Sequence, residues 1–168
     1  KFNKFISPGV ECEIAVFLDK DLPPENHPYN KNSVQEAVSD VMASIEIVDD
    51  RWVDYKSIDT LSLISDDFFA SGCVLGNRIK LDKIKLSEIS GRMLINDKLV
   101  GTGYGKDIMG HPLEALAWLA NFMSKRGKTL KANQFVSLGS IVETKWVNIG
   151  DSVQIEIDGL GSAIANFI

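Results

Sequence analysis

Two glutamates one position apart, Glu11 and Glu13, interrupt the apolar run GVECEIAV from Gly9 to Val16. Side chains alternate between the two faces of a strand, so both carboxylates point the same way, with backbone positions roughly 6 to 7 Å apart. Ala15 and Phe17 continue that face, and Val10, Cys12, Ile14 and Val16 line the other. Both sides of the strand therefore read as covered by protein. Like charges in such a place repel each other, and loss of water disfavours them further, so a positive group is needed close by. A third acid, Glu46, sits in a second β-branched stretch, SIEIVD from Ser44 to Asp49. Three oxygen donors, with neither histidine nor thiolate in the set, suit a hard divalent cation such as Mg²⁺ or Mn²⁺. In the competing reading Glu11 and Glu13 sit on a solvated edge strand, and Glu46 pairs with Arg51 or a lysine.

Other reactive residue types give less. His27 falls in a polar loop and His111 at a helix start, where a capping or packing role is expected. The segment GTGYGK, Gly101 to Lys106, invites a phosphate-loop reading, but it is one residue short of GxxxxGK. Asp107 also stands where a magnesium-binding hydroxyl belongs. A glycine-rich turn whose backbone passes close to packed neighbours is the better account.

The elements that must position the acids follow from periodicity. Leu22 to Lys31, rich in Pro, Asn and charge, reads as an exposed loop. Ser33 with Glu36 makes a capping box, and Val34, Ala37, Val38 and Val41 repeat at helical spacing, predicting a helix through about Ala43. Strands are expected over Ser44 to Asp49, Gly72 to Leu75 and Gly91 to Ile95, the last turning at Asn96-Asp97 into Lys98 to Thr102. His111 to Lys125 opens with Pro112 and stops at Gly127; its apolar residues surround it, which predicts deep burial. Gln134 to Ile168 returns to strands, with Asp158-Gly159 as a turn. Strands with few helices predict an α+β domain built on a strongly bent, rolled sheet.

Composition bounds the function. The 168 residues are 45% hydrophobic and 24% charged, which fits one globular domain. A net charge of −5, with no basic cluster, argues against nucleic acid as a partner. Cys12 and Cys73 form no CxxC pair and read as core thiols of a reducing compartment. No apolar run reaches the roughly 20 residues that span a bilayer, and no signal-peptide pattern opens the chain, so a cytoplasmic location away from membranes is expected.

Four segments carry a resemblance: VECEIAVFLDKDLPP, SIEIVDDRWVDY, GHPLEALAWLANFMSKRGKTLKANQFV and GDSVQIEIDGLGSAIANFI. Together they resemble the fumarylacetoacetate hydrolase superfamily, and within it the 2-keto-4-pentenoate hydratase and 4-oxalocrotonate decarboxylase branch, over nearly the whole chain from Gly9. The resemblance implies that family's α+β fold, a rolled mixed β-sheet with few helices. It also implies Mg²⁺ or Mn²⁺ held by Glu11, Glu13 and Glu46. The substrate it implies is a small 2-keto acid that chelates the ion through its carboxylate and keto oxygens, and the reaction passes through a metal-stabilised enolate. For a hydratase, water then adds across the distal double bond; decarboxylation, carbon–carbon hydrolysis and a non-catalytic relative are the alternatives. Homo-oligomers are implied as well.

The departures from that pattern mark the pocket. Asp66-Asp67-Phe68-Phe69-Ala70 stands where the hydratases carry D-N-A-S-S, keeping Asp66 as the candidate catalytic acid. Leu138-Gly139-Ser140-Ile141-Val142 stands where they carry S-G-S-L-T, keeping Gly139 and Ser140 as candidate substrate-binding residues. Arg51 is open to orienting Glu46, meeting a second substrate carboxylate or forming a surface ion pair. The family's smaller N-terminal region, which supplies a lysine and further acids, has no counterpart ahead of the first strand, so residues 1–168 are expected to be a single catalytic-core domain.

Overall fold

The structure is a computed structural model that describes residues 1–168 and every side chain except that of Lys83. The first strand, β1 (Pro8–Leu18), is the centre of the molecule. It pairs along its length with β2 (Val38–Asp49) on one side and with β7 (Phe135–Trp146) on the other. β3 (Ala70–Leu75) and the short β4 (Ile79–Lys80) add to β2, giving the order β3-β2-β1-β7. A second sheet, in the order β6-β5-β8-β9, joins β5 (Ser90–Ile95), β6 (Lys98–Tyr104), β8 (Ser152–Ile157) and β9 (Gly161–Asn166). Each ladder in both sheets is antiparallel. The expected α+β class holds, with strands dominating.

One core lies between the sheets. Val10, Cys12, Ile14 and Val16 are fully buried there with Met93, Val153 and Ile155, as the alternation of β1 and β8 requires. Both cysteines are free thiols. The hairpin at Asn96-Asp97 forms as expected; both residues take positive φ, as its tight turn demands.

Helix α3 (Pro112–Ser124) caps one end and packs on β7 and on α1 (Lys31–Gln35), while the short α2 (Thr60–Ser65) lies between β2 and β3. His111 caps it, its Nδ1 accepting a hydrogen bond from the Leu113 amide at 3.1 Å. Asn121 pins the preceding loop by accepting from the Tyr29 amide (2.7 Å) and donating to the Tyr29 carbonyl (2.8 Å). No helix among the described residues is long and apolar enough to cross a membrane.

Two expectations fail. The helix predicted through Ala43 ends at Gln35, and β2 begins at Val38. Its cap is Asn30, with Ser33 at the third helical position closing the box. Val38 to Asp49 pairs with β1 over its whole length, and those ladder bonds outweigh an apolar spacing that only imitates a helix. The second correction concerns α3, which is not buried all round. Leu113, Leu116, Ala117 and Ala120 face the core, but Trp118 is 58% exposed and stacks on Phe122.

The GTGYGK turn behaves as close packing predicts. A Cβ on Gly103 would lie 1.7 Å from the Ile141 carbonyl oxygen, and one on Gly105 would lie 1.7 Å from that of Leu86. These glycines admit neighbouring backbone rather than a phosphate.

Candidate metal centre

The β1–β2 register sets Glu11 directly opposite Glu46, and Glu13 opposite Ser44. Opposed residues of an antiparallel pair share a face, so the alternation that aligns Glu11 with Glu13 also delivers Glu46 to them. One carboxylate oxygen from each of the three lies within 4.8 Å of the others. The solvated-edge reading is excluded: β1 is an interior strand, Glu13 is 2% exposed, and Glu11 and Glu46 are half-buried.

Hydroxyls from β7 aim the carboxylates. Ser137 Oγ donates to Glu13 Oε2, and Thr144 Oγ1 donates to Glu11 Oε1. Ser137 and Thr144 are seven apart, so a regular strand would send them to opposite faces. The β1–β7 register shifts three times between Val10 and Ala15, and Gly139, with φ of +122°, lies in this irregular stretch. The bulged backbone brings both hydroxyls to one face.

Electrostatics mark the triad as unfinished without a cation. Burial above all pushes the Glu13 carboxyl up to about 8; the hydrogen bond from Ser137 opposes this, and the charges of Glu46 and Glu11 add to it. Glu46 is raised by burial and then by Glu11, with Asp67 contributing. Burial and the Glu13 charge push the neighbouring Cys12 thiol up to about 12. A divalent cation would offset both the burial and the mutual repulsion of these carboxylates, and three hard oxygen donors at this spacing fit one.

Beside the triad opens a cavity of about 470 Å³. Glu11, Glu46, Asp67, Glu143 and Thr144 give it polar lining, while Tyr55, Phe68, Phe69 and Trp146 supply apolar lining. The remaining candidates lie outside this lining. Asp66 forms an ion pair with Arg51 at 3.0 Å, and that bond holds its carboxyl below the usual carboxylate range. Arg51 is thus engaged with Asp66 rather than with Glu46. Ser140 Oγ donates to the Val142 carbonyl at 2.5 Å, so Ser140 and Gly139 shape the bulge of β7.

Sequence reasoning singled out neither Ser137 and Thr144 nor the turn from Asp67 to Phe69 as parts of the centre. The hydroxyls' odd spacing hid them. The turn's signal in the sequence is Asp67, Phe69 and Ala70 standing where the hydratases it resembles carry Asn and two Ser.

Residues 5–168 match the family described as Fumarylacetoacetate (FAA) hydrolase C-terminal. The chain is 34% identical over 166 residues to 2-keto-4-pentenoate hydratase 1 of Dechloromonas aromatica (strain RCB), covering 98% of this chain and 62% of that protein. It is 32% identical over 168 residues to a 4-oxalocrotonate decarboxylase of Pseudomonas putida, covering 99% and 62%. The structure of 4-oxalocrotonate decarboxylase from Pseudomonas putida G7, complexed with magnesium and adipate, superposes with a TM-score of 0.91 at 29% identity, covering 99% of this chain and 62% of that one. The chain therefore spans less than two thirds of the length of these relatives. Matched from Phe5 to its last residue, the chain belongs to the fumarylacetoacetate hydrolase family.

Proposed function

We propose that residues 1–168 form the metal-binding catalytic core of a lyase that hydrates a small unsaturated 2-keto acid of the 2-keto-4-pentenoate kind. The observation that carries this reading is the triad of Glu11, Glu13 and Glu46, converging beside a cavity wide enough for such an acid. In this reading the triad holds Mg²⁺ or Mn²⁺, as the complex of the decarboxylase relative with magnesium suggests. Such an ion would supply Lewis acidity toward the keto oxygen of the acid, which favours enolate character at the neighbouring carbon. Thr144 and Ser137 keep the carboxylates of Glu11 and Glu13 turned inward.

Asp67, which lines the cavity and lies near enough to Glu46 to raise its carboxyl, is assigned the proton-carrying role at its carboxylate. This transfers to Asp67 the role expected of Asp66, whose oxygens are occupied by Arg51. Tyr55, Phe69 and Trp146 keep water from the tail. A wall of this kind favours an uncharged alkene tail over a second carboxylate, and so hydration over decarboxylation of a dicarboxylate. The exposed Trp118–Phe122 stack provides apolar surface for association with a second copy.

The test is product analysis with Mg²⁺ or Mn²⁺ present. 2-Hydroxypenta-2,4-dienoate should be consumed to 4-hydroxy-2-oxopentanoate, and Glu11→Gln, Glu13→Gln and Glu46→Gln should each abolish the reaction. Release of CO₂ from 4-oxalocrotonate without consumption of the dienoate would overturn hydration in favour of decarboxylation.

A further inference from the structure

Between β2 and β3 the chain makes an excursion, residues 50–69, that ends over the cavity. Its last three residues, Asp67, Phe68 and Phe69, have φ of 56°, 47° and 70°. Left-handed backbone is disfavoured for any residue with a Cβ, and this is a run of three without glycine. Such a run persists only where its surroundings over-determine it.

Arg51 supplies that constraint. Its Nε donates to Asp66 Oδ1 at 3.1 Å. Its Nη2 donates to Asp66 Oδ2 at 3.0 Å and to the Asp66 carbonyl at 2.9 Å. Its Nη1 donates to the Ala70 carbonyl at 3.4 Å. These acceptors lie immediately before and immediately after the left-handed triplet. Arg51 itself follows the exit of β2, five residues beyond Glu46, so one planar fork ties a triad strand to both ends of the turn. The turn's side chains face the cavity, where Phe69 meets Tyr55 edge-on with ring centroids 5.8 Å apart at 83°.

We propose that Arg51 is a positioning residue that staples both ends of the 67–69 turn, presenting Phe68 and Phe69, with Tyr55, as the wall that selects an apolar tail on the 2-oxo acid. The inference rests on the proposed function for the metal and for the acid's head group. Arg51 does not meet substrate: it lies outside the cavity lining, and four of its five N–H groups are already engaged. Lysine cannot replace it, because a point charge offers no rigid fork for side chain and backbone at once.

The experiment compares two probes on the Mn²⁺-loaded protein by calorimetry: pyruvate, which has no tail, and phenylpyruvate, which has an aromatic one. Wild type is expected to bind phenylpyruvate at least tenfold more tightly than pyruvate. Arg51→Gln, Arg51→Lys and Asp66→Asn should each bring that ratio near one while leaving the Mn²⁺ and pyruvate affinities within about twofold. Phe69→Ala, with Arg51 intact, should lower the ratio in the same way. An unchanged ratio in the Arg51 variants, or no preference in wild type, would overturn the assignment, as would loss of Mn²⁺ binding in the three staple variants, which would make Arg51 a general prop of the fold. Failure of wild type to bind Mn²⁺ would instead overturn the proposed function.

Discussion

Glu13→Gln removes the most buried ionisable group of the triad while keeping its shape and an oxygen to accept from Ser137. Without an ion, Glu13 is 2% exposed and its carboxyl is pushed from 4.5 up to about 8, chiefly by burial. The folded chain therefore holds this proton more tightly than the unfolded chain does. The resulting stabilisation is complete below pH 4.5 and is lost as pH rises toward 8. With about 1.4 kcal/mol for each tenfold change in proton affinity, the loss amounts to about 1 kcal/mol at pH 5, about 3 kcal/mol at pH 7 and about 4 kcal/mol at pH 8. Glutamine has no proton to lose. Ion-free Glu13→Gln should therefore be more stable than wild type by a margin that widens with pH across this window.

Urea unfolding followed by tryptophan fluorescence in EDTA at pH 5, 7 and 8 measures that margin. Added Mg²⁺ or Mn²⁺ should then close the gap, because wild type gains about 2.7 kcal/mol at a hundredfold excess over its dissociation constant and the variant, lacking one ligand, gains far less. Identical unfolding curves for ion-free wild type and variant at pH 8 would refute the reasoning, as would equal stabilisation of both by metal.

Three further outcomes follow from the same geometry. Ser137→Ala and Thr144→Val should each weaken Mn²⁺ binding by about tenfold in calorimetric titration, since they free the carboxylates of Glu13 and Glu11 to turn. Gly139→Ala should lower stability by about 1–3 kcal/mol in chemical denaturation, from backbone strain at φ +122° alone, because the nearest atom to an added Cβ, on Ile108, is a comfortable 3.6 Å away. Gly103→Ala, whose Cβ would meet the Ile141 carbonyl oxygen at 1.7 Å, should lose more than about 4 kcal/mol and yield little soluble protein on expression.

The sequence made the centre legible because strand alternation is local. Glu11, Glu13 and the apolar residues between them announce one face directly, and Glu46 repeats the anomaly on a strand that happens to be the neighbour. The N-terminal half of that neighbour was misread: Val34, Ala37, Val38 and Val41 fit a helix, and only pairing with β1, a long-range fact, makes Val38 and Val41 strand residues. Ser137 and Thr144 were hidden for a related reason. Their sequence separation is odd, and the bulge that realigns them depends on Gly139 and on how β7 meets β1. The left-handed turn likewise sets two adjacent acids apart, Asp67 lining the cavity and Asp66 pairing with Arg51, and backbone of that kind leaves no periodic mark in a sequence.

The two halves of the cavity are therefore held by different kinds of force. The triad's geometry comes from a continuous ladder at the middle of a sheet, so altering it means breaking β1–β2 pairing that the whole core depends on. The opposite wall hangs from an excursion closed at its base by one guanidinium, about a third of whose side chain is exposed. Residues there can change at little expense to the fold, since the elements of the excursion bury none of their own residues. A chain built this way can keep one head-group chemistry fixed while its tail preference moves by substitutions in a short segment. The positions at which the sequence departs from the hydratases it resembles fall in that segment, from Asp67 to Ala70, and in the β7 bulge beside the triad, at Leu138, Ile141 and Val142.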